Sequence, residues 1–260
     1  MNTAHAQTAE KKAKKSGKSS HQTQNKPKKK TKASVHKHSP NSPTSPIATA
    51  RLHANPEVAA WVQEAAGRLQ LEPAWTEKTM AQAHRLPLVE KLVLPPASPV
   101  AKDWAAYRAR FIEPIRIQAG LRFWQKHQTP LERAEREFGV PASLIVGIIG
   151  VETLYGKNTG NFRVLDALGT LAFHFPQAHP RAAERQAFFR SELEQFLLLT
   201  SRSGADPLSV KGSYAGALGL PQFMPSSWAK FAVDFDGDRR IDLFGISRAT
   251  ASASSITAMA

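Results

Sequence analysis

Glu152 closes the apolar run Ser143-Leu144-Ile145-Val146-Gly147-Ile148-Ile149-Gly150-Val151. A carboxylate rarely follows so greasy a segment without a task, because leaving water disfavours its charged form. The partial negative charge at a helix C-terminus acts in the same direction. Together these effects suit Glu152 to hold a proton near neutral pH and deliver it, as the acid of a glycoside-cleaving site does. A surface glutamate where a buried helix emerges is the competing reading of the same residues.

Two further segments carry chemistry. Between Lys211 and Trp228, Gly212, Gly216, Gly219, Pro221 and Pro225 specify irregular backbone lying close to something. Within it Ser213 and Gln222 offer neutral hydrogen-bonding groups that suit sugar hydroxyls and amides. An elaborate loop with no ligand is the alternative. Further on, Asp234, Asp236 and Asp238 stand at positions 1, 3 and 5 of a calcium-loop pattern, with Ile241 at 8 and Asp242 at 9. Arg239 takes the place of the usual glycine at position 6, and no acid follows Asp242 to close the loop. The pattern therefore implies a weak calcium site, and a solvated acidic turn fits it equally well.

The elements that must position these residues read as helical. Asn55-Pro56-Glu57 is a helix start, after which Val58, Trp61, Val62, Ala65 and Leu69 share one face. Further helices are expected over 73–85, 101–111, 115–127, 130–138, 142–154, 166–174 and 181–201. The segment ending in Glu152 is apolar all round, which places it at the centre of the domain, and Gly156 suits its C-cap. Gly147 and Gly150 cost the helix about 1 kcal/mol each unless something approaches them closely. Strand-like alternation and internal repeats are not evident, so the expectation is a mainly α fold.

Composition divides the chain. Residues 1–40 hold eleven Lys, no Arg and one acid, so they carry +10 of the net +14. Such a segment cannot bury enough apolar surface to fold, and 1–48 reads as a disordered basic tail ending in a Pro/Ser linker. The absence of cysteine excludes disulfides and thiolate metal sites. The longest apolar run falls far short of the ~20 residues of a membrane span. Ala4-His5-Ala6 before Gln7 looks like the end of a signal cleavage site, which would put the true start upstream of Met1; chance in an Ala-rich stretch accounts for it equally.

Several separated motifs resemble the membrane-bound lytic murein transglycosylase B family. They are Gly139-Val140-Pro141 leading into Ile145–Thr153, then Leu165-Asp166-Ala167-Leu168-Gly169-Thr170-Leu171, and then Gly212–Ser227. Upstream, Tyr107–Ile112 and Gly120-Leu121-Arg122-Phe123-Trp124 are similar to the same family. The resemblance covers roughly 55–244 and implies a lysozyme-like helical domain with an additional helical lobe. It implies that Glu152 is a single catalytic acid, that Ser213, Gln222 and Tyr107 line a substrate groove, and that the substrate is the glycan strand of peptidoglycan. The implied enzyme needs no cofactor, although the family carries a lengthened calcium loop, and it works as a monomer in the periplasm at the cell wall or outer membrane.

The end of the chain departs from this pattern. Residues 245–260 match nothing expected of the family, and GC-rich codons for 247–257 shifted by two bases can restore a family-like sequence. A frameshift near residue 246 is therefore expected, with an incomplete groove and with Phe223 and Trp228 partly uncovered. Three function classes follow: a lytic transglycosylase, a catalytically impaired peptidoglycan-binding remnant, and a polyanion binder suggested only by the lysine tail. Base-reading motifs are not evident, so no nucleic acid is expected, and the tail reads as an arm attracted to wall polymers or anionic membranes.

Overall fold

Three of the described helices start with one device, a proline in the first turn preceded by a side chain that accepts from the free backbone N–H groups. In the computed structural model, which describes residues 50–96, 103–235 and 241, Asn55 caps α1 (Pro56–Leu69), its Oδ1 accepting from Glu57 N at 2.9 Å. Glu72 caps α2 (Pro73–Met80) by accepting from the amides of Ala74 and Trp75. Then follow α3 (Pro87–Leu92), α4 (Trp104–Ala109) capped by Asp103, and α5 (Pro114–Lys126) capped by Glu113. The remaining helices are α6 (Gln128–Phe138), α7 (Ala142–Thr153), α8 (Val164–Phe173), α9 (Ala182–Ser203) and α10 (Pro225–Phe231). One small antiparallel pair joins β1 (Phe162–Arg163) to β2 (Lys211–Gly212), with Phe162 opposite Gly212 and Arg163 opposite Lys211.

The mainly helical expectation holds, with local differences. Helices α3 and α10, each opened by a proline, are additions to the expected set, and the helix expected over 73–85 stops at Met80. Two-residue strands are too short for any alternation to show. The basic tail 1–48, the residues Asp236 and Asp238, and the segment 245–260 lie outside the described residues.

The helix enclosed on every side is α8, not α7 as the apolar run suggested. Each α8 residue from Val164 to Phe173 is buried. Small residues make this possible: Gly169 lies so close to the Leu52 side chain that a methyl group there would overlap it. Around α8 a first core gathers α1, α9 and α10 through side chains such as Trp61, Phe189, Phe196 and Trp228. A second, smaller core joins α5, α6 and α7 through Phe123, Leu131, Ile145 and Ile149. There α7 buries only one face, while Leu144, Ile148 and Val151 stay exposed on the other. Trp228, expected to be partly uncovered, is fully buried, and Phe223 is half-buried edge-on against it. Exposed apolar side chains include Leu144, Ile148 and Val151 of α7 and Ile115 and Leu121 of α5.

A single residue, His127, separates α5 from α6, closing one helix and opening the next. Its ring is buried against Phe123, with centroids 4.5 Å apart. Burial, and to a lesser extent the neighbouring Lys126, lowers its pKa below the ordinary 6.5. The unfolded chain therefore binds this proton more readily than the folded one, and the neutral ring's stability is lost as pH falls below about 6.5. The melting temperature should drop between pH 7 and pH 5, and His127→Asn should reduce that drop; an unchanged slope in the variant would assign the acid sensitivity to other groups.

Candidate active site at the end of α7

The last turn of α7 is held by a hydroxyl. Thr153, with no exposed surface, donates from Oγ1 toward Leu220 O at 3.1 Å and Ile149 O at 3.3 Å, and accepts from Gly156 N at 3.1 Å. The helix ends in two consecutive left-handed residues that are not glycine, Leu154 (φ 51°) and Tyr155 (φ 58°). Leu154 is the C-cap, where Gly156 was expected; Gly156 follows at φ 87°, with its α-carbon against Leu220. Left-handed backbone is costly for such residues, and here the burial of Tyr155 opposes that cost. Its phenol lies over Gly120 of α5 and Gly150 of α7, and its ring meets Phe123 at 5.3 Å. Burial raises the Tyr155 pKa above 10, while the nearby Arg116 acts the other way. The close approach expected at Gly150 is thus explained within the chain. Gly147 has no atom of the described residues where a side chain would project.

Two loops close on this turn. Gly160 (φ 97°) sits directly on the backbone of Gly212 and Ser213, so that any side chain there would collide with main chain. The β1–β2 pairing fixes the same approach. Ser213 closes a tight turn, its N–H donating to Ala217 O at 2.9 Å and its Oγ accepting from Ala217 N at 3.0 Å. Gln222, left-handed at φ 54°, donates its amide nitrogen to Thr159 O at 3.2 Å and Gly219 O at 3.0 Å. With that nitrogen engaged, the carbonyl Oε1 is what Gln222 offers to a ligand. Beyond it, buried Glu192 of α9 accepts from Ser226 N at 2.9 Å and Ser226 Oγ at 2.6 Å. This carboxylate caps α10 from a neighbouring helix, since Met224 in the cap position makes no side-chain bond.

Glu152 stands one residue before Thr153. Its side chain is exposed, so the enclosure expected from the apolar run is not found. The reason is the open face of α7, which Glu152 shares with Ile148 and Val151. Among the described residues it makes no hydrogen bond and no ion pair. The segments that converge on it, 153–163 and 211–223, contain no other Asp or Glu. Asp166, the next carboxylate along the chain, is engaged: it receives both Arg163 Nε at 2.8 Å and Nη2 at 2.6 Å, and His84 N at 2.8 Å.

Tyr107 lies on α4, half exposed, with its ring 5.0 Å from Phe111 and 5.7 Å from Trp104. The link back to α7 is Arg116, whose guanidinium lies 5.3 Å from the Phe111 ring and donates to Gly150 O. Asp234 is exposed; its neighbour Phe235 enters the second core, with its carbonyl accepting from Arg133 at 2.7 Å. The other carboxylates of the calcium pattern, Asp236, Asp238 and Asp242, are outside the described residues, among which no group of three His, Asp or Glu could hold a metal. Sequence reasoning missed Thr153, Arg116 and Glu192. A threonine directly after the acid was the one available signal for the first.

Residues 53–256 match the profile of the transglycosylase SLT domain, a span that runs past residue 245. Over 199 residues the chain is 40% identical to the membrane-bound lytic murein transglycosylase B of Escherichia coli K12, covering 73% of this chain and 53% of that protein. The chain thus spans about half the length of this curated relative. Its fold is similar to that of the soluble lytic transglycosylase SltB1 of Pseudomonas aeruginosa, with TM-score 0.70 and 45% identity over 78% of this chain and 64% of that one. The Escherichia coli lytic transglycosylase Slt35 in complex with calcium aligns with TM-score 0.69 and 38% identity over 79% of this chain and 61% of the other.

Thr153→Val keeps the shape of the latch and removes its bonds, leaving the Leu220 carbonyl and the Gly156 amide without that partner. Such losses cost about 1–3 kcal/mol. Urea unfolding should show a destabilisation of this size, and amide exchange should rise at Gly156. A variant as stable as the parent would mean that the 219–222 loop is held by other contacts.

Proposed function

The chain belongs to the transglycosylase SLT domain family, and from that premise we propose that it is a lytic transglycosylase that cleaves the MurNAc–GlcNAc bond of peptidoglycan and leaves 1,6-anhydro-MurNAc ends. The observation that carries this reading is Glu152, a carboxylate with no hydrogen bond or ion pair among the described residues, one position before the Thr153 hydroxyl that ties this turn to the Leu220 loop, with no other Asp or Glu in 153–163 or 211–223. Hydrolases of this type need a second carboxylate within ~5–9.5 Å to attack or to activate water. An internal nucleophile removes that need. Glu152 protonates the oxygen of the leaving GlcNAc as the bond to C1 breaks. The 6-hydroxyl of the same MurNAc then attacks C1 and returns its proton to the carboxylate. No water is consumed, and the acid is regenerated.

In this reading Ser213, Gln222 and Tyr107 line the groove, with Gln222 Oε1 accepting from a sugar hydroxyl or amide N–H. No cofactor enters the chemistry. Asp234, Asp236 and Asp238 form a weak structural calcium loop, a role supported by the relative whose structure is described as a calcium complex. The folded part, about 49–244, works as a monomer at the cell wall or outer membrane on the periplasmic side. The lysine-rich tail adds attraction to anionic wall polymers and involves no nucleic acid. A second reading, binding without turnover, is favoured by the openness of Glu152 and of the apolar face beside it.

Mass spectrometry of released muropeptides separates these readings. Anhydro ends are expected; reducing ends would indicate a hydrolase with a second acid, and binding without release would indicate the remnant. Glu152→Gln keeps the shape and removes the proton, so turnover should fall by ~10²–10⁴. Near-normal activity in that variant would remove Glu152 from its role.

A further inference from the structure

Helix α4 is unusual in burying none of its residues. Trp104 and Tyr107, one turn apart, stack on each other, and Tyr107 passes the contact on to Phe111. Phe111 carries the Arg116 guanidinium, which is tied to the Gly150 carbonyl two residues before Glu152. A series of contacts through three rings and one cation therefore joins Trp104 to the Gly150 carbonyl of α7, and each step of 5.0–5.7 Å is comparable to one sugar residue. At its far end Trp104 is 70% exposed: one face meets Tyr107 and the rest of the indole is open.

Resting on the glycan reading of Glu152, we propose that Trp104 is the distal stacking subsite for a glycan strand, holding a sugar ring beyond those placed at the acid. The chemistry of this series favours a saccharide. Sugar rings present apolar C–H faces that lie on aromatic rings, while their rims require hydrogen-bond donors. Arg108, Arg110 and Arg116 accompany the aromatic residues, against Asp103 and Glu113. This local positive balance suits the carboxylates on the lactyl groups of a muramoyl strand. The contacts also tie α4 to α7, the helix that carries Glu152, and they include the proposed groove residue Tyr107. A contact between two copies of the chain would need neither that tie nor the arginines.

Length selects for this subsite. Glycan strands freed of peptides by an amidase keep their lactyl carboxylates and can be fractionated into short strands of two disaccharides and long ones of eight or more. Binding is measured with the full chain carrying Glu152→Gln, so that the ligand survives. Adding Trp104→Ala should weaken long-strand binding about tenfold, the size of one aromatic contact, and short-strand binding less than twofold. Trp104→Phe should recover most of the loss, and melting temperatures should agree, since the side chain is exposed. Equal affinities for long strands, or equal losses on long and short strands, would overturn the proposal while leaving the reaction in place. So would loss of self-association on gel filtration as the main effect of Trp104→Ala. A chain with Glu152 intact that neither binds nor cleaves strands of any length would overturn the functional reading along with it.

Discussion

The buried hydroxyl of Thr153 is the joint on which the candidate site depends. It reaches the last turn of its own helix, the turn that follows, and the Leu220 carbonyl of a loop 67 residues away. Through that one side chain the position of Glu152 becomes tied to the position of Gln222. The loop is held from both sides as well. Leu218 enters the core around α8, Leu220 enters the core under α7, and the Leu218–Phe223 backbone pair closes the turn between them. A polar bond with no water to compete for it and two apolar anchors thus act on six residues of chain.

Helix starts were legible because their chemistry is local. Asn55-Pro56 and the glutamates before Pro73 and Pro114 act on amides two or three residues away, and sequence neighbours decide the outcome. Glu152, Ser213 and Gln222 were singled out by their motifs, and their roles belong to the proposed function. The failures share a physical cause: burial depends on what lies across space. The run ending at Val151 is more apolar than most helices, yet half of it is open, whereas α8, which contains Asp166 and Thr170, is buried along its whole length. Asp166 is tolerated there because Arg163 and the His84 amide satisfy it. No pattern within residues 164–173 states that those partners will arrive.

Electrostatics follows the same division between near and far. Ten of the fourteen net charges lie in the first forty residues, so the strong basic balance says little about the folded part. Inside the fold, several charges are matched in pairs. Glu192 meets the amide end of α10, and Arg68 spans to Glu194 on another helix at 2.5 Å. The exposed pairs add little to stability, in keeping with screening by water, whereas the buried Glu192 and Asp166 specify how helices and loops join.

Tyr155 makes three positions inseparable. Its left-handed backbone is held by a phenol that occupies the space of two missing side chains, at Gly120 on one helix and Gly150 on another. Replacing either glycine displaces the ring, and shrinking the ring leaves a void under the turn after Glu152. The three sites form one unit: a side chain can enter at Gly120 or Gly150 only where the Tyr155 ring gives way. What Gly120 can be replaced by is therefore set by a turn 35 residues downstream, although Gly120 itself does no chemistry.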